Sequence, residues 1–493
     1  MRSLRQNIGL ILGPVLFFLI SLFIELDPTN SAVSRTAGAA AWIATWWITE
    51  AIPIPVTSLL PLVLFPLSSI MPAKLVSSVY MNSSIFLFMG GFMIALSLEK
   101  WNLHRRIALT ILKLLGDRPR NLILGFMIAT AILSMWISNT ATTMMMLPIA
   151  IAVISKAEEG GDKTITASNF SIALLLSIAY SASIGGIGTL IGTPPNLAFA
   201  RIYSISFPNA DPVNFAQWLM MAMPFVIVFL SIVWILMVRF LVPVSNERFA
   251  GGRQIVLHEL EQLGRMNRAE KRVGLIFIIT ALLWITRSNI NLGFFMLPGW
   301  SNRLGLKGMI DDGTVAITMA ILLFIIPSGS SQGGRLIDWT TARKLPWGIL
   351  LLFGGGFALA NAFQVSGLAE WMGTKLKVLD GVSPLAMISG ISFMLTFLTE
   401  LTSNTGTTEM ILPILASLSS AVNVHPLVLM LPATISASCA FMLPVATPPN
   451  AIIFGSGRVP IIKMVTTGIL LNIIGIVLVT LLVYFVAIPL FGL

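Results

Sequence analysis

Two copies of a polar tripeptide interrupt apolar segments of the chain, and both could bind an anion. The first copy opens the segment SNTATTMMMLP, from Ser138 to Pro148, and the second opens SNTGTTEMILP, from Ser403 to Pro413. Ser, Asn and Thr side chains supply hydroxyl and amide groups that can donate hydrogen bonds to a carboxylate. A helix that begins at such a tripeptide adds backbone N–H groups and partial positive charge. Two equivalent tips suit a substrate with two similar ends, such as a dicarboxylate.

A second motif, TPPN, also occurs twice, within GTPPN at 192–196 and ATPPN at 446–450. Consecutive prolines prevent a regular helix and free backbone carbonyls, such as those of Gly192 and Ala446, to bind a cation. Neither SNT tip contains Arg or Lys, so a bound dianion would meet only neutral donors. Bound cations would compensate its charge and would tie the movement of substrate to that of the ion.

The two motifs belong to an internal repeat. The SNT copies lie 265 positions apart, from 138 to 403, and eight of their eleven positions are identical. Gly90-Gly91-Phe92 and Gly355-Gly356-Phe357 have the same separation, and the TPPN copies follow in the same order. Three ordered pairs of matching motifs indicate a duplicated architecture.

The segments that carry these motifs predict discontinuous helices. Segments 121–153 and 385–420 hold the SNT copies and are each long enough for two half-depth helices, so we predict two re-entrant hairpins. Segments 166–201 and 426–455 contain Gly, Ser, Thr and Pro midway and predict broken helices, which survive at membrane depth only beside protein or a wet cavity. Such elements place binding sites near the membrane midplane.

Composition predicts that lipid surrounds these elements. Of 493 residues, 56% are hydrophobic and 10% charged, and the mean hydropathy is +0.91, whereas soluble domains carry about 25% charged residues. We therefore expect an all-α polytopic membrane protein with inverted repeats, about 11 transmembrane helices and the two hairpins. Outside the hairpins and broken helices, the predicted spans are 8–24, 37–49, 52–70, 83–98, 215–242, 272–286, 312–327, 346–360 and 462–491.

The net charge of +10 comes from loops between apolar spans, so it predicts orientation in a membrane rather than nucleic-acid binding. The basic loops are 100–120, 244–272, the loop of Arg335, Arg343 and Lys344, and the loop of Arg458 and Lys463. With the N-terminus inside, all four fall on the cytoplasmic face and the C-terminus lies outside. In that topology the first hairpin enters from inside and the second from outside, so the repeats are inverted. We expect a multi-pass protein of the cell inner (plasma) membrane.

The sequence lacks the residues that other classes of function would require. An intramembrane hydrolase needs a Ser–Lys or Ser–His pair, an aspartyl pair or a zinc motif, and no membrane segment contains one. The three histidines and the single Cys439 form no metal-ligand spacing, and a channel would need a continuous lined pore. We therefore predict a carrier with no catalytic residues and no cofactor other than coupling ions. For Glu50, Glu400 and Glu409 a structural role is the preferred interpretation, and their roles stay open.

With both SNT and both TPPN motifs and WWITEAIP at 46–53, the chain resembles the divalent-anion/sodium symporter family over nearly its whole length. That family includes bacterial and animal sodium–dicarboxylate cotransporters. The resemblance implies a homodimer in which a transport domain moves like an elevator against a scaffold. It implies scaffold parts at 1–120 and, after a cytoplasmic linker, in 244–384, and transport parts at 121–243 and 385–493. Segments 99–118 and 361–378 would be the arms between them.

The resemblance also implies site residues at the matching positions. The implied sodium ligands are Ser134, Ser138, Asn139 and Gly192 in a first site, and Thr399, Asn404 and Ala446 in a second. The implied substrate-binding residues are Ser138, Asn139, Thr140, Ser403, Asn404 and Thr405, with Thr447 and Pro448 nearby. We expect sodium-coupled transport of C4-type dicarboxylates such as succinate, malate and fumarate. Sodium-independent dicarboxylate exchange is the alternative, since relatives with that activity keep the same scaffold, and citrate or sulfate transport is a further one.

Overall fold

The computed structural model describes residues 3–116, 118–159, 165–245, 252–291, 296–330 and 333–492, and within them the regular secondary structure is almost entirely helical. The α-helices are α1 Leu4–Phe23, α2 Ser31–Thr49, α3 Ile54–Thr57, α4 Leu60–Leu67, α5 Ala73–Val79, α6 Ser83–Lys100, α7 Leu103–Leu115, α8 Pro119–Ser134, α9 Asn139–Glu159, α10 Ile165–Ile187, α11 Pro194–Ser206, α12 Phe215–Leu236, α13 Gly252–Gln262, α14 Arg268–Thr286, α15 Trp300–Arg303, α16 Asp312–Ile325, α17 Trp339–Ala342, α18 Trp347–Val365, α19 Leu368–Leu376, α20 Pro384–Thr399, α21 Asn404–Ala421, α22 Pro426–Ser436, α23 Pro448–Gly455, α24 Ile461–Leu482 and α25 Ile488–Phe491. One short antiparallel hairpin pairs β1 Ile290–Asn291 with β2 Met296–Leu297.

Seven helices within the described ranges are long and apolar enough to cross a membrane, and a bent pair of helices could add an eighth. Four further apolar helical segments are shorter, between 10 and 17 residues, and one of them, Ile54–Leu67, comprises α3 and α4 together. The fold is therefore that of an all-α polytopic membrane protein, as the composition predicts. The predicted span 52–70 differs in detail, because it forms two short helices, α3 and α4. Pro61 lacks an amide hydrogen and so suits the first turn of a new helix better than a helix interior.

Both segments predicted as hairpins form two helices that meet at a short non-helical tip. Helices α8 and α9 meet at 135–138, and α20 and α21 meet at 400–403. Both segments predicted as broken helices are interrupted, at 188–193 between α10 and α11 and at 437–447 between α22 and α23. The interruptions therefore lie where the polar and proline motifs predicted them.

The repeat is visible element by element, since α6 to α12 recur in the same order as α18 to α24. Even the ends match, because α12 and α24 each continue into a π-helical turn, at Met237–Leu241 and Val483–Ala487. The arms recur as α7 and α19. Each follows a residue in the left-handed conformation, Asn102 with φ 57° before α7 and Gly367 with φ 79° before α19.

The two repeats interlock through their glycine motifs. A methyl group at Gly90 in α6 would lie 2.6 Å from the backbone of Ala316 in α16, so these helices touch backbone to backbone. In the same way, a methyl group at Gly355 in α18 would lie 2.7 Å from the carbonyl oxygen of Ser58, just after α3. Helices α6 and α18, called the glycine helices below, therefore each pack closely against the other repeat and lie in the interior between the two repeats.

Ion pairs join three of the segments that were predicted as basic loops, and two of these segments are partly helical, since Arg106 lies in α7 and Glu270 in α14. Arg106 and Glu270 are 2.5 Å apart and link the first loop to the second, and Lys100 and Asp338 are 2.5 Å apart and link it to the third. Hydrogen bonds from Lys100 and from the residues after Asp338 hold the pKa of Asp338 well below the usual aspartate value. These loops thus lie together, as one-sided orientation requires, and their assignment to the cytoplasm stays a prediction.

Candidate functional site

Both SNT tips and both TPPN segments line a single cavity of about 390 Å³. The lining includes ten of the twelve predicted site residues: Ser138, Asn139, Thr140, Gly192, Ser403, Asn404, Thr405, Ala446, Thr447 and Pro448. Phe88 and Phe92 of α6, Ile54 of α3 and Ile349 of α18 form apolar parts of the wall. The cavity therefore combines a polar surface from the interrupted helices with an apolar surface from the glycine helices.

Four helices begin at this cavity: α9, α11, α21 and α23. Three of their first turns are capped by side chains from the motifs. Ser138 accepts a hydrogen bond from the Ala141 amide at 3.2 Å, and Ser403 and Thr447 act in the same way for α21 and α23. Each helix N-terminus carries about half a positive charge and unpaired N–H groups. Their convergence makes the cavity suited to an anion.

Ser134 is fully buried behind the first tip rather than on the cavity surface. Its hydroxyl oxygen lies 2.6 Å from Oδ1 of Asn139 and 2.7 Å from the carbonyl oxygen of Ala182 in α10. A hydroxyl has one hydrogen and can donate to only one of these two oxygens. Three oxygens thus converge at the base of the tip, which is a ligand set that suits a small hard cation.

Thr399 occupies the same position behind the second tip and is also fully buried. Its hydroxyl oxygen lies 2.5 Å from Oδ1 of Asn404 and 3.0 Å from the carbonyl oxygen of Ala437, which follows α22. The two oxygen clusters are therefore equivalent under the repeat. The family resemblance implies Ser134 and Thr399, whereas the carbonyls of Ala182 and Ala437 were not predicted.

A fourth repeated motif could have identified those carbonyls. The sequence Ser-Ala-Ser occurs at 181–183 and again at 436–438, and its central residue is Ala182 in one copy and Ala437 in the other. The separation of 255 residues is within one position of that of the TPPN motifs. A tripeptide of small residues in apolar helices is common, and only its place in the repeat distinguishes it.

Gly192 reaches the first cluster through close backbone packing. A methyl group at Gly192 would overlap the carbonyl of Gly186, and one at Gly186 would lie 2.6 Å from Oδ1 of Asn139.

The asparagines of the two TPPN motifs stabilise the two helix interruptions by hydrogen bonding, a role that sequence analysis missed. Asn196 donates to the carbonyl of Thr189 at 2.7 Å, and Asn450 donates to that of Leu443 at 3.1 Å. Each asparagine therefore satisfies carbonyls that the interrupted helix leaves free.

Glu400 holds the second break with its carboxylate. It accepts hydrogen bonds from the amides of Phe441, Met442 and Leu443 at 2.8–3.0 Å and from the Asn472 side chain at 2.7 Å. The first repeat has Met135 at this position, and there Thr189 donates to the Met135 carbonyl instead. The structural role preferred for Glu400 fits these contacts, since the carboxylate replaces backbone bonds that the break removes.

A cationic side chain does face the cavity, in contrast to the expectation of neutral groups alone. Arg5 of α1 lines it together with Glu50. The Arg5 guanidinium donates to the carbonyl of Ile48 and, at 3.4 Å, to that of Leu401 in the second tip. Sequence analysis missed Arg5 because it lies 133 positions before the first tip. Arg5 and Glu50 are the charged residues among the described lining, and their charges cancel.

Comparison with known proteins places this arrangement among transporters. A sequence model described as "Sodium:sulfate symporter transmembrane region" matches residues 6–493. The sodium-dependent dicarboxylate transporter SdcS of Staphylococcus saprophyticus is 46% identical over 494 residues, covering 99% of this chain and 93% of that protein. SdcS of Staphylococcus aureus is 47% identical over 488 residues, covering 98% and 92%.

Two solved structures share the fold at low sequence identity. One is Neisseria gonorrhoeae MtrF, from a class described as antimetabolite efflux pumps, with a TM-score of 0.57 and 13% identity over 86% of this chain and 85% of that one. The other is the YdaH transporter of Alcanivorax borkumensis, with a TM-score of 0.57 and 13% identity over 98% and 99%. These likenesses concern the fold alone.

Proposed function

The chain belongs to the sodium:sulfate symporter family, and from that premise we propose that it transports C4-type dicarboxylates together with sodium. Succinate, malate and fumarate are the substrates we have in mind. The relatives that match nearly the whole chain are named as sodium-dependent dicarboxylate transporters, which favours a dicarboxylate over the sulfate of the family description. They also favour transport over catalysis.

The observation that carries the proposal is the convergence of both SNT tips on one cavity. Each tip begins a helix and presents hydroxyl, amide and N–H donors, so each can hold one carboxylate. In this scheme Ser138, Asn139 and Thr140 bind one end of the substrate. Ser403, Asn404 and Thr405 bind the other end, with Thr447 and Pro448 beside them.

Sodium would enter as a co-substrate at the two oxygen clusters. The first would use Ser134, Ser138, Asn139 and Gly192, with the Ala182 carbonyl added. The second would use Thr399, Asn404 and Ala446, with the Ala437 carbonyl added. Since the formal charges of Arg5 and Glu50 cancel, the side chains that line the cavity carry no net positive charge to balance a dianion. An uncompensated dianion is strongly disfavoured in a low-dielectric interior, and two bound cations would neutralise it.

The proposed mechanism is an elevator in a homodimer of the plasma membrane, with the N-terminus cytoplasmic and the C-terminus outside. The hairpins and broken helices would form the moving part, and α6 and α18 would belong to the fixed part. The two arms, α7 and α19, support this division because each is set at a left-handed residue between a glycine helix and a hairpin. Dimer contacts would come from the scaffold.

Uptake into proteoliposomes tests the coupling. With no dicarboxylate inside, an inward sodium gradient should drive accumulation of labelled succinate, and potassium in place of sodium should not. Uptake that requires internal dicarboxylate and ignores sodium would instead identify an exchanger. Competition by malate, fumarate, citrate and sulfate then defines the substrate class, and inhibition by sulfate alone would contradict a dicarboxylate carrier.

A further inference from the structure

Glu409 is a buried carboxyl group that the proposed transport cycle does not use. It lies in α21, one helical turn beyond Thr405, and its side chain is 0% exposed. Neither carboxyl oxygen has a hydrogen-bond partner among the described residues. Buried polar groups are normally satisfied, and a buried charge is normally paired. This carboxyl therefore differs from Glu400, which accepts four hydrogen bonds in the same part of the fold.

Helix α18 leaves the space that the Glu409 side chain occupies. A methyl group at Gly356 would overlap the Glu409 carboxyl group, so only glycine leaves the space that it fills. The first repeat has Met144 in place of Glu409. A methyl group at its equivalent glycine, Gly91, would lie 3.3 Å from the Ile191 side chain. The carboxyl and its glycine notch are thus a feature of the second repeat alone, on the surface where α21 meets α18.

No titratable side chain that the structure describes is hydrogen-bonded to the Glu409 carboxyl oxygens. Helix α18 carries no titratable residue, and Tyr80, which packs at Gly354, donates its hydroxyl to the carbonyl of Ser58 at 2.6 Å. None of the titratable side chains of the other elements packed against α21 is hydrogen-bonded to Glu409 within the described residues. They are Arg35 and Glu50 of α2 and its end, Arg201 and Tyr203 of α11, Glu370 and Lys375 of α19, Glu400 after α20, and His425 before α22.

We propose that Glu409 is a proton-binding site, carried by the second hairpin and closed by Gly356, that holds its proton while α21 is packed against α18. An ionised carboxylate there would be buried with no donor or ion pair from the described part of the chain, whereas the neutral acid avoids that penalty.

The consequence for movement rests on the proposed elevator. One helical turn from Gly356, the same face of α18 presents Phe353 on one side and Ala360 on the other, so a sliding hairpin must take the carboxyl out of its notch. Once hydrated, the O–H bond can break, and the proton passes to water and leaves a carboxylate. Rising pH therefore favours the separated state, by up to about tenfold per pH unit while the two states differ by one proton.

Infrared difference spectroscopy tests the site directly, without substrate or sodium. The full-length protein and the E409Q variant, each in lipid nanodiscs, are titrated with pH while the carbonyl stretch of protonated carboxylic acids is recorded. We expect an acid band that persists at neutral pH and that E409Q removes. The E409M variant, which copies Met144 of the first repeat, should remove the same band and controls for any distortion caused by glutamine.

The link to movement is tested by joining α2 to α21 through W47C and G406C in a C439A background. In the disulfide-linked protein the Glu409 band should survive to higher pH than in the reduced protein. An identical neutral-pH spectrum in the parent and both variants would overturn the proton site. Equal titration of linked and reduced protein would overturn its link to movement. Succinate uptake is measured separately, so failure of the transport proposal would be seen independently.

Discussion

At the scale of single residues, the two tip threonines are the sharpest test of substrate binding. Thr140 and Thr405 line the cavity from opposite repeats, each one position after the asparagine of its tip. Replacing either by alanine should remove one hydrogen bond to a charged carboxylate, about 1.5–3 kcal/mol or roughly tenfold to 150-fold in apparent succinate affinity. Concentration dependence of sodium-driven uptake measures this loss.

Thr142 is a matched control for the tip threonines. It lies two positions beyond Thr140, is buried, and does not line the cavity, so T142A should leave succinate affinity within about twofold because no substrate hydrogen bond is lost. Normal affinity in both T140A and T405A would show that the tips do not hold the carboxylates. Equal losses in all three variants would indicate general distortion of the helices.

At the scale of elements, the first cation cluster depends on how closely the break after α10 approaches the first hairpin tip. G186A should place a methyl group 2.6 Å from Oδ1 of Asn139 and push the tip away from its oxygen partners. We expect sodium-dependent uptake to fall at least tenfold and the sodium concentration for half-maximal uptake to rise, since a displaced ligand weakens hard-cation binding.

Gly390 provides the comparison for that variant. It lies in α20, and a methyl group there would meet no atom within 4 Å. G390A should therefore keep transport and, by favouring helix, leave the melting temperature unchanged or slightly higher. Wild-type sodium dependence in G186A would mean that Asn139 does not bind sodium through this cluster.

At the scale of the whole molecule, elevator movement predicts that one disulfide can stop transport. Trp47 of α2 and Gly406 of α21 belong to the proposed fixed and moving parts, and their Cβ positions are 3.8 Å apart, which suits a disulfide. In the C439A background, W47C/G406C should lose succinate uptake on oxidation and regain it on reduction. The extent of cross-linking is read from the same vesicles.

The native cysteine supplies a control within the moving part. A Cβ at Gly475 of α24 lies 3.7 Å from that of Cys439, so G475C can form a disulfide that does not join fixed and moving parts. Oxidation of that variant should leave uptake intact. Unimpaired transport in fully cross-linked W47C/G406C would favour local gating of the hairpin tips over bodily movement.

The sequence by itself determined the membrane class, the repeat and the positions of the interrupted helices. Apolar length, paired prolines and repeated polar tripeptides act locally, so a reader of the chain can locate the tips near Ser138 and Ser403 and the breaks at both TPPN motifs. Family resemblance then names the side chains that line the cavity. The break within 52–70 was missed because Thr57 and Ser58 make only a brief polar interruption between two apolar stretches.

Tertiary structure alone decided the other contacts of the site, because they join residues far apart in sequence or involve backbone atoms, which residue type does not distinguish. The carbonyls of Ala182 and Ala437 are backbone atoms, and residue type does not reveal where they point. Glu400 and Glu409 lie nine positions apart with the same carboxyl group, yet one meets three backbone amides and the other a glycine notch. The difference between Glu400 and Glu409 comes from the hydrogen-bond donors available to each buried carboxyl group. Those donors are determined by how the helices pack against each other.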